Sequence, residues 1–427
     1  MNTNILDYGA KGDGIALNTV AIQSAIDECA TTGGGRITIP AGIYKSGTIW
    51  LRSNIELHLE MGAELLASDN MDDYNELDAY EQNFSVPREE WVGKHLIIAH
   101  EIENCAITGL GTINGNCHAF VYKKETPPDK LWGWCHGESV LKDKKKMRPG
   151  QLVCFIESKH IKVLDITIKD SPCWSCYLLG CEYAQIRGIK VNNPVWMLNS
   201  DGIDIDASRY VTVSDCVINT GDDAITLRGS EQRVLAEDMH CEHVTITNCV
   251  LSTGICAFRI GVGTGTIRHA IISNITVLLA ENLVQFCTAY INKGGVSIEG
   301  INFSNISAVG TDRMIEAFAK NGTYIKNITM ENIRCTSTVR SYIDRIEGEI
   351  DNISFRNVDL ILSNREADMN PVNLKWRGNR YITASGVSNL TFENVKLMGG
   401  FYGVDKPVEF NDCMSVSMIN CNFQADQ

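Results

Sequence analysis

The stretch that decides the fold is Asn199–Ser230, NSDGIDIDASRYVTVSDCVINTGDDAITLRGS. It contains two similar phrases, Asn199-Ser200-Asp201-Gly202-Ile203-Asp204-Ile205 and Asn219-Thr220-Gly221-Asp222-Asp223-Ala224-Ile225. Each sets acidic residues at a glycine-marked turn and then enters an apolar run. Between the phrases Val211, Val213, Cys216 and Ile218 alternate with polar residues, the period of a half-buried strand. Asp201 and Asp222 stand 21 residues apart, enough for one short circuit of a parallel β-helix, whose coils stack at about 4.8 Å. Such a circuit brings Asp201, Asp222 and Asp223 together on one patch of surface.

Outward from this stretch the pattern repeats. From about residue 97 a unit recurs in which polar and apolar residues alternate and the run ends on Asn, Gly or Ser. Instances begin at His160, Tyr183, Tyr210, His243, His269, Ile325, Ile350, Val387 and Met414. One apolar position of the unit recurs at Val163, Ile186, Val213, Ile246, Ile272, Phe303, Met330, Phe355, Phe392 and Met418. The intervals fall in the range of solenoid repeats. No helix-forming stretch separates the units, so βαβ folds and leucine-rich horseshoes fit poorly. The expected fold is all-β, a single-stranded right-handed parallel β-helix. Stacked coils share one core, so 1–427 is read as a single domain. Residues 1–70 form its opening module, with Thr19–Cys29 as a helix covering the first coil. Two insertions, 117–150 and 363–382, break the register; long loops on a rigid scaffold are where binding groups gather.

Composition narrows the function. The net charge is −14, from 38 Lys+Arg against 52 Asp+Glu, and the one basic run, Lys142-Asp143-Lys144-Lys145-Lys146, reads as a solvated loop. Nucleic acid is not an expected partner. No apolar run reaches the length of a membrane span, and no leader is visible at the amino terminus. The 16 cysteines show no metal-type pairing. Cys105, Cys216, Cys249, Cys335 and Cys421 fall on the apolar phase of strand-like runs, as packing residues of a reduced protein do. The expected location is the cytoplasm, unless a leader has been removed.

Three readings compete for Asp201, Asp222 and Asp223. Asp and Asn are common turn residues because their side chains bond local backbone, a role also expected of Asp204 and Asp206. Carboxylates alone can hold a metal, but the spacing of a calcium loop is missing. Glycoside hydrolysis needs one protonated carboxyl, its pKa raised by neighbouring charge, and one ionised carboxylate to deprotonate water. Adjacent Asp222 and Asp223 can share a site only at a turn or bulge, since strand side chains alternate.

The pairing of an Asn-x-Asp-Gly phrase with a Gly-Asp-Asp phrase one coil later resembles glycoside hydrolase family 28, the polygalacturonases. Tyr8-Gly9-Ala10-Lys11-Gly12-Asp13-Gly14, Gly109-Leu110-Gly111-Thr112-Ile113-Asn114-Gly115, Arg148-Pro149 and Ser171-Pro172-Cys173-Trp174 follow the same family pattern. The resemblance implies a pectin-lyase-like solenoid and hydrolysis with inversion, with no metal or organic cofactor. It implies Asp222 as general acid, with Asp201 and Asp223 holding and activating water.

Two family motifs are missing. The Gly-His-Gly expected within Thr253–Gly261 has no histidine, and the Arg-Ile-Lys expected at Gln285-Phe286-Cys287 has lost both cations. In polygalacturonases those cations are taken to grip the substrate carboxylate. Arg228 and Arg259 could substitute, although a mid-strand Arg259 reads first as an outward, solvated side chain. Asn199, Arg228, Arg259 and Gln285 are candidate substrate-binding residues. Trp132, Trp134, Trp376 and Arg380, on the insertions, are candidates for a wall closing one end of the cleft. The expectation is therefore an exo-acting, inverting hydrolase of a pectin-related oligosaccharide. The alternatives are a hydrolase of a neutral, rhamnose- or galactose-containing glycoside, a non-catalytic sugar-binding β-helix, and a β-helix lyase or epimerase.

Overall fold

The computed structural model describes residues 2–124, 139–143, 147–290, 294–363, 380–399 and 407–423. These fall into two compact units. One is drawn from 2–222 with 233–239, the other from 223–232 with 240–423.

In the first unit three parallel ladders run through successive coils. One stacks Asn2–Asn4, Gly35–Ile39, Ile55–Leu59, Glu103–Gly109, Lys159–Leu164, Glu182–Arg187 and Arg209–Ser214. The second joins Gly42–Ser46 through Ala63–Ala67, Thr112–Asn114, Thr167–Lys169 and Lys190–Asn192 to Val217–Thr220. The third joins Ile49–Trp50 through Ile97–His100, Val153–Ile156 and Cys176–Leu179 to Ile203–Asp206. Coiling thus starts at the first strand, and the opening module is itself made of coils. The sequence repeat became visible only at residue 97 because the glycine-rich turns of the early coils blur the phase.

The second unit follows the same plan, from Cys241–Thr253 through Thr266–Cys287, Ser297–Ala319, Tyr324–Ser337, Glu349–Leu362 and Val387–Glu393 to Met414–Ile419. The recurring apolar position aligns strand by strand. Val163, Ile186 and Val213 are direct partners in the first unit, and Ile246, Ile272, Phe303, Met330, Phe355, Phe392 and Met418 in the second. All but Met418 are fully buried. Each such side chain stabilises the fold by about 1.5–3 kcal/mol.

The expected helix is present at Thr19–Thr31; Ile22, Ala25, Ile26 and Cys29 face inward. They pack on the strands at Asn2–Asn4, Gly35–Ile39, Ile49–Trp50 and Ile55–Leu59, so the apolar stripe covers the open edge of the first coil. Cys105, Cys216, Cys249 and Cys335 are buried, and Cys421 is half-buried.

Positive φ recurs twice per coil, five residues apart. In the first unit the pairs are Asn104 with Gly109, His160 with Asp165, Tyr183 with Gly188 and Tyr210 with Asp215. In the second, Asn327 with Asn332, Asn352 with Asn357 and Asn389 with Asn394 are three of seven. Short polar side chains tolerate the left-handed region because they bond locally, which explains the polar residues flanking each repeat. Like residues stack across coils. The rings of His160, Tyr183 and Tyr210 lie 5.0 and 4.9 Å apart. Asn274, Asn305, Asn332, Asn357 and Asn394 form a side-chain amide ladder with steps of 3.2, 3.2, 3.0 and 3.0 Å.

Candidate active site

Gly202 ends the turn that carries Asp201, and the strand Ile203–Asp206 follows. Asp201 is 2% exposed and Asp222 is 8% exposed, and their carboxylate oxygens lie within 4.8 Å of each other. Local hydrogen bonds fix the pair. Ser200 Oγ donates to the Met197 carbonyl at 2.8 Å and accepts from the Gly221 N–H at 3.0 Å. Thr220 Oγ1 donates to the Asp222 carbonyl at 2.6 Å, and the Asn199 N–H donates to Asp222 Oδ2 at 3.1 Å. Only glycine fits at 221, because a Cβ there would lie 2.4 Å from the Met197 carbonyl oxygen.

Arg148 ties this loop to the rest of the unit. It is 1% exposed and donates to the carbonyls of Pro172 at 2.5 Å, Leu198 at 2.7 Å and Glu89 at 2.9 Å. A fourth bond goes to Asn199 Oδ1 at 2.7 Å. Burial holds its guanidinium pKa below the ordinary value. The first insertion also abuts the loop. Its strands Val121–Lys123 and Ser139–Leu141 pair antiparallel, and Cys117, Phe120, Val121 and Leu141 cluster with Met197. Ser139 Oγ accepts from the Leu198 N–H at 3.2 Å. Trp196, half-buried, flanks that cluster with its ring 5.6 Å from His118.

Asp223, 2% exposed, is held in the second unit. Both Asp222 and Asp223 lie in the turn between the strands Val217–Thr220 and Ile225–Gly229, so strand alternation does not separate them. Asp223 Oδ1 accepts from the Cys256 N–H at 3.2 Å. Arg259 bridges the same carboxylate, Nε to Oδ2 and Nη2 to Oδ1, the latter at 3.1 Å. Arg259 also bonds Gln285 Oε1, and Gln285 Nε2 donates to Glu316 Oε1 at 2.9 Å. This corrects the reading of Arg259 as solvated. Its side chain is 13% exposed, because Gln285 is its direct partner on the next strand and Asp223 offers a buried counter-charge. The cysteine at the histidine-free segment contributes its backbone N–H; burial pushes the Cys256 thiol pKa far above the ordinary thiol range.

Asp204 and Asp206 are also corrected. They are strand residues, both 0% exposed, and Asp206 Oδ2 accepts from Tyr177 OH at 3.1 Å. The turn ends at Gly202, so the alternation of Ile203 and Ile205 into the core sends both carboxylates to the other face.

A sequence profile of the glycosyl hydrolases family 28 matches residues 29–380. The chain belongs to that family. Over 314 residues this family 28 chain is 28% identical to an exo-poly-alpha-D-galacturonosidase of Dickeya chrysanthemi, covering 66% of this chain and 50% of that protein. It spans about half the length of the first curated relatives it matches. Among solved structures, the Yersinia enterocolitica family 28 exopolygalacturonase superposes with a TM-score of 0.75 at 21% identity, over 97% of this chain and 78% of that one. The Thermotoga maritima exopolygalacturonase gives 0.63 at 18% identity, over 99% and 92%. The shared fold is the right-handed parallel β-helix.

The remaining candidate residues of the family 28 chain divide. Trp132, Trp134 and Trp376 lie outside the described residues. Arg228 is 9% exposed, its Nε 3.4 Å from Thr226 Oγ1. Arg380 pairs with Glu409 at 3.2 Å. Asn199 serves as scaffold, its amide oxygen taken by Arg148 and its N–H by Asp222. Among the described residues two further groups gather metal-type donors within 4.8 Å: Cys117, His118 and Asp170, and Glu242, His243 and His269. In the first, burial pushes the Cys117 thiol up to about 12; in the second, Arg268 already engages Glu242 at 2.7 Å. Neither is assigned a metal. The sequence left two contributors without a role: Arg148, whose partners are mostly backbone carbonyls from distant coils, and Trp196, on a loop with no repeat phase.

Proposed function

We propose that the protein is an inverting glycoside hydrolase that removes sugars from the end of a pectin-related oligosaccharide. The observation that carries this reading is the buried Asp201–Asp222 pair beside the turn that also bears Asp223. Two carboxyls this close favour sharing one proton, since full ionisation of both is costly. Asp222, in the role that the family resemblance implies, protonates the leaving oxygen, with the Asn199 N–H fixing its carboxyl in place. Asp201 and Asp223 hold the attacking water, and Arg259 compensates the charge of Asp223. No metal or organic cofactor has a part in this scheme.

The names of the similar proteins support a galacturonide substrate and exo action. So does the first insertion, packed against the loop that leads to Asp201, where it can stop a chain end; Trp196 and His118 offer rings at that edge. Inversion rests on the family. The oxygen separation in the pair is below the 6.5–9.5 Å, roughly, common between the carboxyls of inverting enzymes, so the anomer formed first must be read directly by proton NMR. The cytoplasmic location is proposed on the cysteines, of which 13 of the 15 described are buried free thiols, the usage of a reducing compartment. Among the described residues no helix is long and apolar enough to cross a membrane.

Digestion of trigalacturonate and of polygalacturonate tests the reading. Release of one or two sugars, with viscosity falling slowly relative to reducing ends, is expected. A rapid early loss of viscosity would refute exo action, and an unsaturated, ultraviolet-absorbing product would make the protein a lyase.

A further inference from the structure

On the outward face of the second unit, Arg259, Gln285, Glu316 and Tyr342 are direct partners on four successive strands. The row begins at the arginine that bridges Asp223 and ends in a cavity of about 430 Å³. Phe318 and Tyr342 line it with three cations, Arg313, Lys320 and Arg340, and three carboxylates, Glu281, Glu316 and Asp344. Coils advance by about 4.8 Å, so the cavity lies roughly two to three coils from Arg259, a span of a few pyranose units laid along the helix axis.

The chemistry of the lining is uneven. Arg313, 4% exposed, has its charge balanced by Glu316 at 3.5 Å and Glu281 at 3.7 Å, and its guanidinium lies 5.7 Å from the Tyr342 ring centre. It belongs to the floor. The Lys320 ammonium sits 5.0 Å from the Phe318 ring centre, and no carboxylate among the described residues forms a salt bridge with it. A cation held over an aromatic ring at the rim of a polar cavity suits a ligand with an apolar face for the ring and an anionic group for the ammonium.

We propose that this cavity is a distal subsite for a carboxylated sugar, with Lys320 meeting the sugar carboxylate and Phe318 and Tyr342 bordering the ring. The proposal rests on the hydrolase reading above and adds to it a place where substrate acidity is read. That place lies along the row from Gln285, where the expected cations are missing.

The test is calorimetric binding of trigalacturonate and tetragalacturonate, and of their methyl esters, to the full chain and to Lys320→Met. A charge-assisted hydrogen bond contributes enough for roughly a 10- to 100-fold change in Kd. The expected result is a loss of that size for the acidic tetrasaccharide, a much smaller loss for its ester, and recovery in Lys320→Arg. Kd of the wild-type protein for the acid should also rise with salt, a readout that holds if Lys320→Met folds poorly. Equal losses for acid and ester, or a Kd independent of both Lys320 and salt, overturn the subsite. Hydrolysis is scored separately. A wild-type protein that binds the acid through Lys320 but cleaves no galacturonide leaves the subsite standing and overturns the hydrolase reading.

Discussion

Arg148 offers the sharpest test of how the catalytic loop is held. Its planar fork serves four acceptors at once, the carbonyls of Glu89, Pro172 and Leu198 and the side chain of Asn199. In Arg148→Lys the charge remains but the fork does not, and one compact ammonium cannot reach acceptors spread around a guanidinium. At least two acceptors then lose their partner in a site without water access. Each such loss costs about 1–3 kcal/mol, giving roughly 2–6 kcal/mol for two, a large share of the 5–15 kcal/mol or so by which most domains are stable. Urea titration with an unchanged slope would report this as a lower midpoint. Turnover should fall as well, because Asn199 presents its N–H to Asp222, and a misplacement of about 1 Å can cost up to about a hundredfold. If Arg148→Lys stays within about 1 kcal/mol of the native protein and keeps its turnover, Arg148 does not hold the loop.

Other outcomes follow from the same structure. Asp222→Asn should lower turnover at least roughly a hundredfold with little change in stability, and least on substrates with an activated leaving group; intact turnover on a natural glycoside would remove Asp222 as the acid. His95 is fully buried against the Gln151 carbonyl, Asn83 and the Cys154 thiol, and burial lowers its pKa to about 4. Between that value and the unfolded value of about 6.5 the unfolded chain holds a proton that the folded chain refuses. Stability should therefore fall by roughly 3 kcal/mol from this group as pH drops from 6.5 to 4, and show no effect of it above 6.5; an identical pH slope in His95→Gln would refute the assignment. We further propose that 1–427 unfolds as one domain, which predicts a single calorimetric transition; two resolved transitions would argue for two.

What the sequence disclosed follows from its period. Inward side chains obey alternation strictly, so the row from Ile246 to Phe392 could be read without coordinates, and so could the polar residues bounding each coil. Asp201 and Asp222 were readable because two turn phrases differ by one circuit. Contacts across coils were not. Coil lengths vary, so nothing in the string sets Arg259 beside Gln285 or carries the row on to Lys320. Asp204 and Asp206 were misread because Asp in a turn and Asp on the outer face of a strand look alike in one dimension. Arg148 matches a family pattern, yet three of its four acceptors are backbone carbonyls, which every residue possesses.

The asparagine ladder from Asn274 to Asn394 has a consequence for how such a molecule can change over time. Each left-handed turn marks the coil locally, like a notch on a ruler, independently of what lies between the notches. A segment added elsewhere in a coil need only close on itself, at roughly 0.6 kcal/mol for each doubling of its length. Lineages can therefore exchange the loops that choose a substrate while the acid and its partners keep their spacing. Mutations at the notches themselves should be disfavoured, because a β-branched residue there adopts the backbone that every later coil inherits only under strain.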